Sequence, residues 1–168
     1  MTNIAPPPLQ LKYYFVEELH IKAILDRDKM AESDRATVLF HVKEDDVDAS
    51  FQHAQTAGDT FKHRITLMVR SKPGITLPWS FVICLQGFFD LTPEFTAKPN
   101  AIDLLCVNGG SLLYTIAREV IFSGTSRGPH GAVFLPTIRF VPAPVPQPEV
   151  PVREKRIKKI ESAPVSSK

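Results

Sequence analysis

Ser111-Leu-Leu-Tyr-Thr-Ile-Ala-Arg-Glu-Val-Ile-Phe-Ser-Gly-Thr-Ser-Arg-Gly-Pro129 reads as a helix, a glycine stop and a loop, and the apolar segment Phe134-Leu-Pro-Thr-Ile-Arg-Phe140 follows at once. Leu112, Leu113, Ile116, Ala117 and Val120 form one stripe at helical spacing. Gly124 and Gly128 close the helix, and Pro129 prevents its continuation. Tyr114, Ile121 and Phe122 lie off the stripe, so the helix is apolar on more than one side and needs a partner beyond its own sheet. The simplest such partner is another subunit, which places Tyr114, Ile121 and Phe122 at an oligomer interface. Upstream, Asn100 with Asp103 predicts a helix start, and Gly109-Gly110 should interrupt that helix before Ser111 caps it again.

Working towards the N-terminus, the residues before this helix read as strands. Leu77 to Leu91 is apolar at almost every position (Trp79, Phe81, Val82, Ile83, Cys84, Leu85, Phe88, Phe89), the pattern of a strand covered on both faces. Phe61, His63, Ile65, Leu67 and Val69 alternate with polar residues in the clearest strand of the chain. Another strand starts near Ala36 with Val38, Phe40 and Val42, breaks at Glu44-Asp45-Asp46, and resumes with Val47, Ala49 and Phe51. The break marks a bulge or a change of partner. Before it, Leu9, Leu11, Tyr13 and Phe15 share one face of a half-buried strand, led in by the extended run Pro6-Pro7-Pro8. Four strands and then helices make an α+β fold.

The organisation follows: an extended lead-in over 1–8, one domain over 9–140, and a tail over 141–168 that is proline-rich and then basic, with too little apolar content to fold alone. The tail carries six basic and three acidic groups while the whole chain is +2, so the body is close to neutral at −1. No uninterrupted apolar run is long enough to cross a bilayer, and the first residues lack a basic segment followed by an apolar one. A cytoplasmic protein with no membrane insertion is expected. Cys84 and Cys106 stand one on a strand and one in a helix, which suits buried thiols better than a disulfide.

Candidate chemical sites do not converge. His20, His41, His53, His63 and His130 are scattered one to a segment, without ligand spacing, so no metal is expected. Val107-Asn108-Gly109-Gly110-Ser111 lacks the lysine of a phosphate loop and follows helix instead of strand. Glu44-Asp45-Asp46 has no calcium-loop spacing, and no serine sits in a nucleophile elbow. The basic run Arg153 to Lys159 has no interleaved aromatics, so it offers nucleic acid only nonspecific charge. Neither an enzyme nor a cofactor is indicated.

Taken in order, Gln86-Gly87-Phe88-Phe89, Ala117-Arg118-Glu119, Ser126-Arg127-Gly128 and Leu135-Pro-Thr-Ile-Arg-Phe140 resemble the SecB family of export chaperones. The resemblance is continuous from about Gly109 to Phe140 and looser back to Leu11; it leaves out the tail. It implies a four-stranded antiparallel sheet with helices packed on one face, assembled as a tetramer (a dimer of dimers). It also implies an ATP-independent holdase whose partners are non-native client polypeptides, acting in protein export and translocation. The family's groove between the sheet and the post-helix loop would here be lined by Phe134, Leu135, Ile138 and Phe140, with Trp79, Phe88 and Phe89 on the sheet. Of the acidic positions that dock the SecA motor, Glu18 is kept, whereas Lys22 and Val82 stand where acids are expected and the tail is basic. The docking face for SecA is therefore incomplete. A solitary SecB-like chaperone dedicated to the antitoxin of a toxin-antitoxin pair is the alternative within the class. A small-molecule-binding domain is the alternative outside it.

Overall fold

In the computed structural model, residues 7–24, 39–73 and 77–141 are described. The elements are β1 (Leu9–Ala23), β2 (Leu39–His41), β3 (Val47–Gln55), β4 (Lys62–Ser71), β5 (Trp79–Leu91), a single helical turn α1 (Pro93–Thr96), the long helix α2 (Ala101–Ser126) and β6 (Ala132–Phe134). The main sheet is four-stranded, in the order β1-β5-β4-β3, and every pairing in it is antiparallel. A separate parallel pair, β2 with β6, sits on the helix side. The tail and most of the N-terminal lead-in lie outside the described residues.

The alternation in β4 and β5 places one layer of the core. His63, Ile65, Leu67 and Val69 of β4 and Trp79, Phe81, Ile83, Leu85 and Phe89 of β5 are buried on the inner face, under α2. The outer face of β5 carries Ser80, Val82, Cys84, Gln86, Phe88 and Asp90, and only Cys84 of these is buried. The expectation that both faces of this strand are covered by another layer is therefore corrected. Side chains of the flanking β1 and β4 shade the outer face, and half its positions are polar enough to meet water.

The break at Glu44-Asp45-Asp46 is a change of partner. Leu39–His41 pairs with β6, a 3₁₀ turn follows at Glu44–Asp46, and Val47–Gln55 then joins β4 in the main sheet. Ala36 and Val38 lie outside the described residues.

Helix α2 runs unbroken through Gly109-Gly110, which corrects the expected interruption. Ser111 does not cap; its hydroxyl donates to the Val107 carbonyl at 2.6 Å, one turn back. The glycines are there for closeness. A Cβ on Gly109 would stand 2.5 Å from Ile65 Cδ1 and 3.1 Å from Phe89, and Gly110 lies against the Phe140 ring. The buried ridge is accordingly Leu105, Gly109, Leu113, Ala117, Ile121 and Thr125, with Tyr114 beside it. Tyr114 and Ile121 are thus core of their own chain, only 3% and 0% exposed, and cannot supply surface to a second subunit. Phe122 is half-buried and meets Phe134 edge-on at 6.3 Å. By length and composition the uninterrupted helix could cross a membrane; here it buries its ridge on the sheet.

A histidine pair lies between the inner-face ends of β3 and β4. His63 is buried, and its Nε2 lies 3.1 Å from the Thr60 carbonyl, which can only accept. His63 therefore carries its proton on Nε2, leaving Nδ1 to accept from His53 Nε2–H at 2.9 Å. Burial, and then the nearness of His63, hold the His53 pKa below its ordinary value of 6.5. Because the unfolded chain takes up that proton first, the pair's contribution is complete above pH 6.5 and is lost as pH falls through 6.5 towards the depressed value. The urea midpoint is expected to drop between pH 7.5 and pH 5.5, and His53→Asn should flatten that dependence; a midpoint equally pH-dependent in the variant counts against the assignment.

Candidate polypeptide-binding surface

Strand β1 is an edge strand 15 residues long, about 50 Å at the usual rise, where most strands run 5–6 residues. Leu9 and Leu11 face inward opposite Leu91 and Phe89. A register shift between Leu11 and Tyr13 then inserts Lys12, and Tyr13 comes opposite Phe88, on the outer face. The expectation that Leu9, Leu11, Tyr13 and Phe15 share one face is corrected by this bulge, since one extra residue reverses every side chain beyond it. A second shift, at Glu17, sets Glu18 opposite Cys84.

The result is a strand that shows apolar side chains on both faces. Tyr13 (58% exposed) and Phe15 (44%) point outward, where Tyr13 stacks on Phe88 with centroids 4.6 Å apart and Phe15 lies 6.0 Å from the same ring. Tyr14, Val16 (40%) and Leu19 (44%) point to the helix side but remain uncovered, because α2 lies over the middle of the sheet. On α2 the ridge Leu112, Ile116, Val120 and Gly124 runs beside them, and Gly124 rests on Ile21 of β1. Long apolar edge strands are templates for pairing with another chain, and soluble proteins usually blunt them.

The residues picked out for a groove do not form one. Leu135 and Phe89 are fully buried, and Trp79 and Phe140 nearly so. Phe140 fills the space between helix and sheet, meeting Phe51 at 5.5 Å and Tyr114 at 6.0 Å. Trp79 donates its Nε1–H to the Gly131 carbonyl at 3.0 Å. Phe88 is on the opposite face of the sheet from Phe89. Only Phe134 and half-buried Ile138 are accessible on the helix side, with Phe134 against His41 of β2. The Ala117-Arg118-Glu119 motif explains why the post-helix segment closes so tightly. Ala117 is in the buried ridge, and Arg118 donates from Nε to the Leu135 carbonyl at 3.1 Å while its guanidinium lies 4.8 Å from the Phe134 ring centre. Thr125 adds a second tie, donating to the Ile121 carbonyl at 2.7 Å and accepting from Val133 N–H at 2.9 Å.

Tyr14, Val16 and Leu19 were not singled out by sequence reasoning, and Leu112 was read as part of the stripe facing its own sheet, whereas it is exposed. The available signal was the run Tyr13-Tyr14-Phe15-Val16, apolar at successive positions in a strand with one neighbour.

On the outer face Glu18 is half-exposed, with a carboxylate oxygen 3.3 Å from His20 Nε2. Glu17 accepts from Gln86 Nε2 at 2.7 Å and from the Cys84 thiol at 3.4 Å, and these bonds hold its pKa below the ordinary value. Burial and the bond to Glu17 push Cys84 up to about 11, so it stays a thiol. Lys22 and Val82 share this face, opposite Ser80 and His20. Both cysteines are free.

The architecture is matched by a known one. It is similar to the Mycobacterium tuberculosis Rv1957 SecB-like chaperone, solved in complex with a ChAD peptide from the Rv1956 HigA1 antitoxin. The match has a TM-score of 0.52 at 11% identity and covers 78% of this chain and 88% of that one. The fold is SecB-like. A Streptococcus agalactiae protein of unknown function matches 81% of this chain over 100% of its own, at 15% identity and a TM-score of 0.38. No family model matches the sequence, and no curated protein matches it.

Proposed function

We propose that this chain is an ATP-independent holdase that binds extended, non-native polypeptides along β1, and that it acts in the cytoplasm. The observation that carries the reading is the uncovered apolar edge strand of a SecB-like fold. An edge offers backbone partners to any sequence, and apolar side chains add area without demanding particular residues. In this reading the chain assembles as a tetramer through the Leu112, Ile116 and Val120 ridge, which takes the place of Tyr114 and Ile121. Several client surfaces on one particle then hold a long chain at several points.

Two client classes fit this surface about equally. Export substrates are the clients that the sequence resemblance to export chaperones suggests, but Lys22 and Val82 flank Glu18 with a positive and a neutral side chain, which disfavours a basic motor surface such as that of SecA. A dedicated antitoxin segment is favoured by the solved relative, whose bound peptide comes from an antitoxin.

The test is aggregation of a thermally unfolded protein, followed by light scattering. The full chain should suppress it near stoichiometric ratio, with or without ATP. Val16→Lys with Leu19→Lys, both at exposed positions, should weaken suppression at least about tenfold, since each loses roughly 1 kcal/mol or more of apolar contact. Equal suppression by this variant would reject β1 as the client surface, and no suppression by the unmodified chain would reject the holdase.

A further inference from the structure

The two edges of the main sheet differ in how they are guarded. On β1, register shifts fall at Lys12 and at Glu17, and Lys12, Glu17, Glu18, His20 and Lys22 stud the strand. Bulges and charges of this kind interrupt a ladder and discourage long pairing. β3 has neither device. Its 9 residues, Val47-Asp-Ala-Ser-Phe-Gln-His-Ala-Gln55, hold no proline, lysine or arginine, and they keep one register with β4 from end to end. The single carboxylate among them, on Asp48, is already held by Arg70 Nε at 3.2 Å and Lys72 Nζ at 3.8 Å.

The ladder fixes which backbone groups β3 leaves free. Thr56 N–H donates to the Lys62 carbonyl at 2.9 Å, and Lys72 N–H to the Asp46 carbonyl at 2.9 Å, so the even-numbered residues of β3 bond to β4. The N–H and C=O groups of Ala49, Phe51 and His53 then point away from the sheet, and among the described residues no backbone group pairs with them. The strand is complementary to itself. A second β3, laid antiparallel about a two-fold axis at Phe51, meets the first along its whole length, with Phe51 on Phe51, Ala49 on His53 and Val47 on Gln55. On the outer face Ser50 comes opposite Gln52, and Asp48 opposite Ala54, so no like charges meet. On the helix side the half-buried Phe51 ring, which meets Phe140 at 5.5 Å, gains its own copy as a neighbour.

We infer that β3 pairs with β3 of a second copy of this chain, joining two main sheets into one continuous sheet with Phe51 on the two-fold axis. The contact is small beside the roughly 1,200–2,000 Å² of a stable interface, so on its own it is expected to loosen on dilution. It leaves β1 free at the far edge, and it does not depend on the holdase reading.

The experiment mixes two full-length single variants, Ser50→Cys and Gln52→Cys, both at exposed positions, under mild oxidation. Directly opposite residues of two strands come within disulfide reach, whereas position 50 of one copy lies diagonally from position 50 of the other, about 7–8 Å away. The mixture should therefore yield at least about tenfold more dimer than either variant alone, linked between positions 50 and 52. Mapping the linked peptides separates this product from any through Cys84 or Cys106. Ser50→Lys with Gln52→Lys, in one chain, reads the contact without a covalent link: it sets like charges opposite each other away from the core, and should lower the mass seen by light scattering. The inference is overturned by no product between positions 50 and 52, by equal product from either single variant, or by a mass unchanged with both lysines in place. Neither readout involves a client, so these failures are distinct from failure of the holdase.

Discussion

Ile121→Asp is expected to leave no stably folded protein. Ile121 is fully buried in the ridge of α2 that faces the sheet. Its removal forfeits roughly 2–3 kcal/mol of apolar burial, and an unpaired buried carboxylate costs about 3–5 kcal/mol more. Together these match most of the 5–15 kcal/mol that holds a typical domain. Circular dichroism and urea titration should show lost cooperativity, whereas Ile121→Val should cost only about 0.5–1.5 kcal/mol. A folded Ile121→Asp protein of smaller assembly size would mean that this side chain belongs to a subunit contact after all.

Gly128→Ala is the second large effect, and its mechanism is a collision. A methyl carbon on Gly128 would overlap Cη2 of Trp79 and lie 2.5 Å from Cζ2. The indole has no easy retreat, since it is buried, tied by its N–H to the Gly131 carbonyl and edge-on to His130 at 5.6 Å. Overpacking of this kind costs about 1–3 kcal/mol, and a chain of this size loses roughly 2–4 °C of Tm for each. Trp79 is the sole tryptophan, so its emission reports the displacement directly. Gly58→Ala, in a turn where the added carbon meets nothing within 4 Å, should leave the emission unchanged. Unaltered Tm and emission in Gly128→Ala would show that the loop yields freely.

Much of the sheet was legible because β4 obeys strict alternation from His63 to Val69, and because the acidic break before Val47 coincides with a real change of partner. The helix was legible in position but not in phase. Gly109, Gly110 and Thr125 belong to its buried ridge, yet none is an apolar signal, so the stripe read from leucines and isoleucines was rotated towards Leu112. The bulge at Lys12 was hidden for a related reason. A lysine at an outward position looks the same whether or not the chain slips there, and only the pairing of Leu11 with Phe89 and Tyr13 with Phe88 reveals it. For the candidate surface, aromatic content did not separate Phe140 and Trp79, which fill the core, from Phe134 and Tyr13, which are exposed.

Strand β1 also differs from its neighbours in how it is tethered. β3, β4 and β5 form a meander whose links span residues 56–61 and 72–78, but β1 pairs with β5 alone, across sequence separations from 56 (Ala23 with Trp79) to 82 (Leu9 with Leu91). Closing the shorter of these costs about 2 kcal/mol more chain entropy than closing a six-residue link. Within the main sheet, the strand that carries most exposed apolar surface is therefore the one that connectivity helps least to dock. Were β1 displaced, the paired edge of β5 would be bared in its place, as a second strand acceptor behind the visible one.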